Sequence, residues 1–216
     1  MKKKKSADRM KNLFFDLDGT VLDCRRRLYR LFDDLAPGHD LDQDEYWRLK
    51  RAGQRRDDLL RDRFGFDRAA LNALKKSWME RIEDEDRLAL DCVWPGLGEI
   101  LMRLAARHSL YLVTNRQFRD RTVRQVEGLG LAGCFTAVLV TEQRSSKAAL
   151  IKAANLAGGP DGVFIGDTGE DVLAARELGC RAVAVSWGFS DRGLLAAYRP
   201  DVIMTEVDEL DQCPFL

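Results

Sequence analysis

The stretch NLFFDLDGTVLD, residues 12–23, opens as an apolar run, Leu13-Phe14-Phe15. It then sets Asp16 and Asp18 on either side of one leucine and turns at Gly19-Thr20. An apolar run of this length, bounded by turn residues, is expected to be a strand buried on both faces. A buried strand that ends on two mutually repelling carboxylates is either an ordinary polar turn or the edge of a site for something cationic or electrophilic.

Similar short runs recur at 110–113, 137–140, 163–165, 182–185 and 202–204. Segments with helical spacing lie between them, such as Ile100-Leu101-Leu104-Ala105 and Val172-Ala175-Leu178. From about residue 96 strand and helix alternate, which argues an α/β fold with a Rossmann-like parallel sheet. Residues 24–92 differ. Leu28, Leu31, Phe32 and Leu35 follow an i, i+3, i+4, i+7 pattern, and Leu71, Leu74, Trp78 and Ile82 share another stripe, with no convincing strand among them. Pro37-Gly38 and Gly65 divide this segment, and Trp94-Pro95-Gly96 closes it. The expected organisation is a core of residues 1–22 and 93–216, with 1–11 a mobile tail, and an inserted all-helical cap of residues 23–92.

The 216 residues are 45% hydrophobic and 32% charged, with a formal net charge of zero. That balance gives no electrostatic case for nucleic acid or an anionic membrane, and the basic run at residues 2–5 reads as a solvated end. No apolar stretch reaches membrane-spanning length, and no secretory h-region follows the lysines. Cys24, Cys92, Cys134, Cys180 and Cys213 are odd in number and widely spread, as reduced thiols of a cytoplasmic protein would be. With His39 and His108 the only histidines, a histidine triad or zinc centre is not expected. The string GLGLAG, residues 128–133, matches G-x-G-x-x-G, but it follows a helical stretch and precedes a strand. That context is the reverse of a dinucleotide site, so it reads as a helix stop.

Four polar clusters follow the predicted strands: DLDGT at 16–20, Thr114-Asn115-Arg116, Ser145-Ser146-Lys147, and GDTGED at 166–171. Open parallel sheets bind ligands at their C-terminal edge, so four clusters there suggest one site. Asp16, Asp18, Asp167 and Asp171 face one lysine, and a hard divalent cation such as Mg²⁺ resolves that excess. Thr114, the Asn115 backbone and Lys147 could hold a phosphate opposite the metal. One carboxylate of the first cluster can attack phosphorus, and the other can protonate the leaving alcohol and then deprotonate water. Gly19 lets the backbone approach the phosphate.

In this order, FFDLDGTVLD, VTN, a lone lysine and FIGDTGED resemble the four motifs of the haloacid dehalogenase superfamily, in its phosphoglycolate phosphatase-like branch. The resemblance runs from about Asn12 over nearly the whole chain. It implies Asp16 as nucleophile and Asp18 as general acid/base. It also implies Mg²⁺ held by Asp16, the Asp18 carbonyl and Asp167, with Asp171 binding it directly or through water, and phosphate held by Thr114, Asn115 and Lys147. The family's dehalogenases lack the second aspartate, so Asp18 argues for phosphate chemistry, and Gly19-Thr20 favours a phosphatase over a mutase. The expected activity is Mg²⁺-dependent hydrolysis of a small phosphorylated metabolite, phosphoglycolate-like or a sugar phosphate. Transfer to an acceptor, or phosphate binding without catalysis, are its alternatives. Arg55 and Arg56, in a glycine-containing loop of the cap, either meet a substrate carboxylate or face water. Arg116 could hold an anionic substrate, but is expected to face solvent.

Overall fold

The structure is a computed structural model and describes residues 10–156 and 158–216. The basic run at 2–5 lies outside the described residues. Lys11 is tied down, its ammonium donating to the Phe215 carbonyl at 2.8 Å.

Strand β1 (Asn12–Phe15) carries the apolar run, and Leu13, Phe14 and Phe15 are all fully buried. Phe14 packs on one face of the sheet, with its ring 5.4 Å from that of Tyr111 and 6.2 Å from that of Phe164. Leu13 and Phe15 point into the larger apolar cluster on the other face. Each such side chain contributes roughly 1.5–3 kcal/mol by leaving water. That is why the run tolerates no polar residue until it reaches the sheet edge.

A two-residue strand β2 (Leu22–Asp23) precedes five helices: α1 (Arg25–Leu35), α2 (Gln43–Arg51), α3 (Arg56–Phe64), α4 (Arg68–Arg81) and α5 (Glu85–Leu88). Strand β3 (Cys92–Val93) then pairs antiparallel with β2, Leu22 opposite Val93. Helices α1–α5 are therefore an insert whose two chain crossings are joined as a short ribbon. This ribbon went unread in the sequence, because two residues carry no periodicity. Leu28, Leu31 and Phe32 of α1 are buried as their spacing predicts. Asp42 and Asp67 cap α2 and α4 through the amides of Glu45 and Ala70, at 2.8 Å each. Gly65 ends α3 at φ +70°, a left-handed turn that glycine adopts without strain.

The rest alternates: α6 (Leu97–Ala105), β4 (Ser109–Thr114), α7 (Arg119–Gly128), β5 (Ala137–Val140), α8 (Lys147–Ala153), β6 (Val163–Gly166), α9 (Gly169–Glu177), β7 (Arg181–Val185), α10 (Arg192–Ala197) and β8 (Val202–Met204). The sheet order is β5-β4-β1-β6-β7-β8, and every pairing is parallel. Strand β1 pairs with β4 on one side and β6 on the other, so chain order reverses at its C-terminal end, where open α/β sheets place ligands. The G-x-G-x-x-G string ends α7 and leads through a 3₁₀ turn, Ala132–Cys134, to β5. It opens no helix toward the sheet edge.

Candidate active site

Asp16 follows β1 directly, its amide donating to the Ile165 carbonyl at 2.9 Å. Asp167 follows β6, Asp171 sits in the first turn of α9, and Lys147 is the first residue of α8. One carboxylate oxygen from each of Asp16, Asp167 and Asp171 lies within 4.8 Å of the others, and all three residues are buried. The Lys147 ammonium bridges two of them, 2.6 Å from Asp16 Oδ1 and 2.6 Å from Asp171 Oδ1. Burial alone would lower the affinity of that amine for its proton, but the two carboxylates more than reverse this and its pKa is raised.

The remaining carboxylate oxygens are steered by their neighbours. Asp167 accepts from Thr20 Oγ1 (2.9 Å) and from the Phe189 amide (2.6 Å). Asp171 Oδ2 accepts from the amide (3.1 Å) and hydroxyl (2.7 Å) of Thr168, the residue that caps α9. Burial raises the pKa of Asp16, with the charges of Asp171 and Asp167 adding to it against the pull of Lys147. Burial and the Asp171 charge push Asp167 up to about 6. With all three ionised, the carboxylates exceed the one ammonium by two negative charges, and all the donors are hard oxygens. That donor set fits a divalent Mg²⁺-type cation.

Asp18 belongs to a different electrostatic unit. Arg116 grips it with two donors, Nε to Oδ2 at 2.7 Å and Nη2 to Oδ1 at 2.6 Å, and Arg27 of α1 donates to the same Oδ1. Burial alone would raise its pKa, but the two guanidiniums hold it far below the usual carboxylate range. The sequence count of four carboxylates against one lysine therefore overstates the charge of the acidic cluster around Lys147. The expectation that Arg116 faces solvent is also corrected: the residue is 3% exposed. Its guanidinium is occupied by Asp18, Asp91 and Gln125, partners 98, 25 and 9 residues away that no local pattern announces.

Thr114 ends β4, buried, and Asn115 follows it on the surface, its Oδ1 accepting from Thr141 Oγ1 at 3.2 Å. Neither caps a helix, since α7 begins only at Arg119. Ser146 caps α8, accepting from the Ala149 amide at 3.1 Å, which points Lys147 inward. Gly19 adopts φ +93°, and a Cβ there would overlap the Asp167 carboxylate. A cavity of about 300 Å³ opens over Asp16, Asp18, Thr114 and Lys147, with Arg27 and Trp78 of the insert among its walls.

A family model for haloacid dehalogenase-like hydrolases matches residues 10–179. The chain belongs to that family. A phosphoglycolate phosphatase of Synechococcus elongatus is 28% identical over 212 residues, covering 94% of this chain and 96% of that protein. A 5′-nucleotidase of Pseudomonas aeruginosa is 27% identical over 220 residues, covering 96% of each. A haloacid dehalogenase-like hydrolase of Streptococcus pneumoniae superposes with a TM-score of 0.76 at 20% identity, over 94% of this chain and 97% of that one, a likeness of fold.

In this haloacid dehalogenase-like chain the two cap arginines singled out from sequence do not line the cavity. The Arg55 side chain is 83% exposed and lies 4.0 Å from Asp58. Arg56 pairs with Asp57 at 2.9 Å and stacks 4.4 Å over Trp78, so it supports the wall from behind. Sequence reading missed Thr20 and Phe189, which hold Asp167, and Arg27 and Asp91, which surround Asp18. It also missed Lys50 at the end of α2, whose ammonium lies 4.6 Å over the Phe189 ring. No carboxylate pairs with Lys50 among the described residues, and burial lowers its pKa. Thr20 was within reach, since it sits inside the quoted motif. The others were not, because their partners are distant in sequence.

Proposed function

We propose that the protein is a Mg²⁺-dependent phosphomonoesterase acting through an aspartyl phosphate on Asp16. The observation that carries this reading is the cluster of Asp16, Asp167 and Asp171 around Lys147, at the sheet edge and under a cavity that also contains Asp18. Bound by Asp16, the Asp18 carbonyl, Asp167 and Asp171, Mg²⁺ would supply positive charge to offset both the excess carboxylates and the phosphoryl oxygens.

The chain's own groups would do the rest. Lys147, the Thr114 hydroxyl and the backbone of Asn115 and Gly19 hold phosphoryl oxygens and orient phosphorus in front of Asp16. An Asp16 oxygen forms the new P–O bond as the ester P–O bond breaks, and the ionised Asp18 carboxylate relays the proton of a monoanionic ester to the leaving oxygen. Water then attacks phosphorus, gives a proton to Asp18, and the Asp16–phosphorus bond breaks to release phosphate, which takes that proton with it. The insert, seated over the cavity, excludes bulk water and restricts the alcohol.

A cavity of this size suits a small ester, phosphoglycolate-like or a sugar phosphate. The relatives' names, phosphoglycolate phosphatase and 5′-nucleotidase, bracket the same chemistry. The five free cysteines suit a reducing cytoplasm, and no helix among the described residues is long and apolar enough to cross a membrane.

The test is inorganic phosphate release from a panel of small phosphomonoesters, with Mg²⁺, with a chelator, and with Asp16→Asn. Turnover that needs both metal and Asp16 supports the reading. Turnover that survives Asp16→Asn contradicts it. Phosphate passed to a sugar acceptor instead of water would replace hydrolysis by transfer.

A further inference from the structure

Two arginines on one general acid/base need a second anion to hold them together, and the fold supplies it at Asp91. Its side chain is fully buried and lies in the return from the insert, one residue before β3. Asp91 Oδ1 accepts from Arg27 Nε at 2.9 Å, and Oδ2 accepts from Arg116 Nη2 at 3.3 Å and Gln125 Nε2 at 3.0 Å. Gln125 completes the ring: its Oε1 accepts from Arg116 Nη1 at 2.6 Å, and its amide also donates to the Leu88 carbonyl at 2.7 Å. Arg27 is fixed further by donating to the Ile82 carbonyl at 3.2 Å. Cys24 Sγ, 3.0 Å from Asp18 Oδ1, adds a weak donor.

The unit is closed and neutral, with two guanidiniums and two carboxylates. Its members come from the core edge (Asp18, Arg116), α7 (Gln125), the insert helix α1 (Arg27) and the linker between insert and core (Asp91). A buried ionic network of this kind is weak evidence for stability, because desolvation consumes most of its Coulombic gain. Its geometry, however, is directional. The two-point grip of Arg116 fixes the plane of the Asp18 carboxylate, and Arg27 reaches it only with α1 seated on the core. Remove the Asp91 charge, and the two guanidiniums repel each other with one carboxylate between them.

We infer that Asp91 is a positioning residue: it holds Arg27 of the insert and Arg116 of the core against Asp18, so that seating the insert aims the general acid/base at the leaving oxygen. This rests on the phosphatase reading, and the test separates the two. An alkyl phosphate needs a proton on its departing oxygen. p-Nitrophenyl phosphate, whose leaving group departs readily as an anion, does not.

Asp91→Asn, nearly the same shape without the charge, lowers kcat for the alkyl ester roughly 10- to 100-fold, within the contribution of one proton-transfer group or a misplacement of about 1 Å. For p-nitrophenyl phosphate kcat falls less than about threefold, and Asp91→Glu recovers part of the alkyl-ester rate. Gln125→Leu, which keeps every charge, shows the same split in milder form and serves if Asp91→Asn does not fold. An equal loss on both esters, or no loss on either, overturns the inference. Wild-type protein that turns over neither ester overturns the phosphatase reading itself.

Discussion

Gly19 is where backbone geometry and charge meet most tightly. Its φ of +93° is one that side chains avoid, and a Cβ would be driven into the Asp167 carboxylate. Gly19→Ala should therefore cost about 2 kcal/mol or more in denaturant unfolding and reduce turnover as well, since Asp167 must move. Asp167 carries a second expectation. Its folded pKa is raised from 3.8 to about 6, so the folded state of the metal-free protein binds its proton more tightly than the unfolded chain does. Its contribution to stability is fully present below about pH 3.8 and is lost as pH rises through about 6, up to about 3 kcal/mol in all. Thermal unfolding of chelated protein should show this decline between pH 4 and 6, and added Mg²⁺ should stabilise more at pH 7 than at pH 5. The carboxylates of this site were legible in sequence because Asp16 and Asp167 follow apolar runs and Asp171 shares the polar cluster of Asp167. Arg116 was misread because its exposure is decided by Asp18 and Asp91, which only the fold brings to it.

The insert is held to the core from two sides. Glu83, between α4 and α5 and 4% exposed, accepts from the amides of Gln117 (2.7 Å) and Phe118 (3.2 Å), just ahead of α7. Gln117 Nε2 answers to the Met79 carbonyl at 2.9 Å. On the other side Trp47 of α2 meets Phe189 edge-on at 5.6 Å, and the Asp191 amide donates to the Arg51 carbonyl at 2.9 Å. Glu83→Ala strips two amides of their acceptor, a loss of about 1–3 kcal/mol against this seated position. Hydrogen exchange at Gln117 and Phe118 should accelerate and KM should rise, and unchanged exchange would show that the latch holds nothing. Helices α1 and α4 of the insert and the six strands of the sheet were readable from apolar spacing. The β2–β3 ribbon and the Glu83 latch were not, since each is defined by a partner at least 34 residues away.

Across the whole molecule the parallel sheet brings four separated polar clusters to one edge, and the insert roofs them. The structure divides that edge into two electrostatic units that sequence had merged. One is an anionic unit around Asp16 that wants a cation, and the other a neutral one around Asp18 that links insert to core. In the proposed reaction, phosphoryl transfer falls to the first and proton transfer to the second. The measurement that tests this most directly is chemical trapping during turnover: acid quench in the presence of Mg²⁺ and a good ester, borohydride reduction, and sequencing of the peptide containing residues 12–23 by mass spectrometry. An aspartyl phosphate is reduced to homoserine, so the account predicts homoserine at position 16 and an unmodified Asp18. Homoserine at 18, or steady turnover with position 16 untouched throughout, would contradict it.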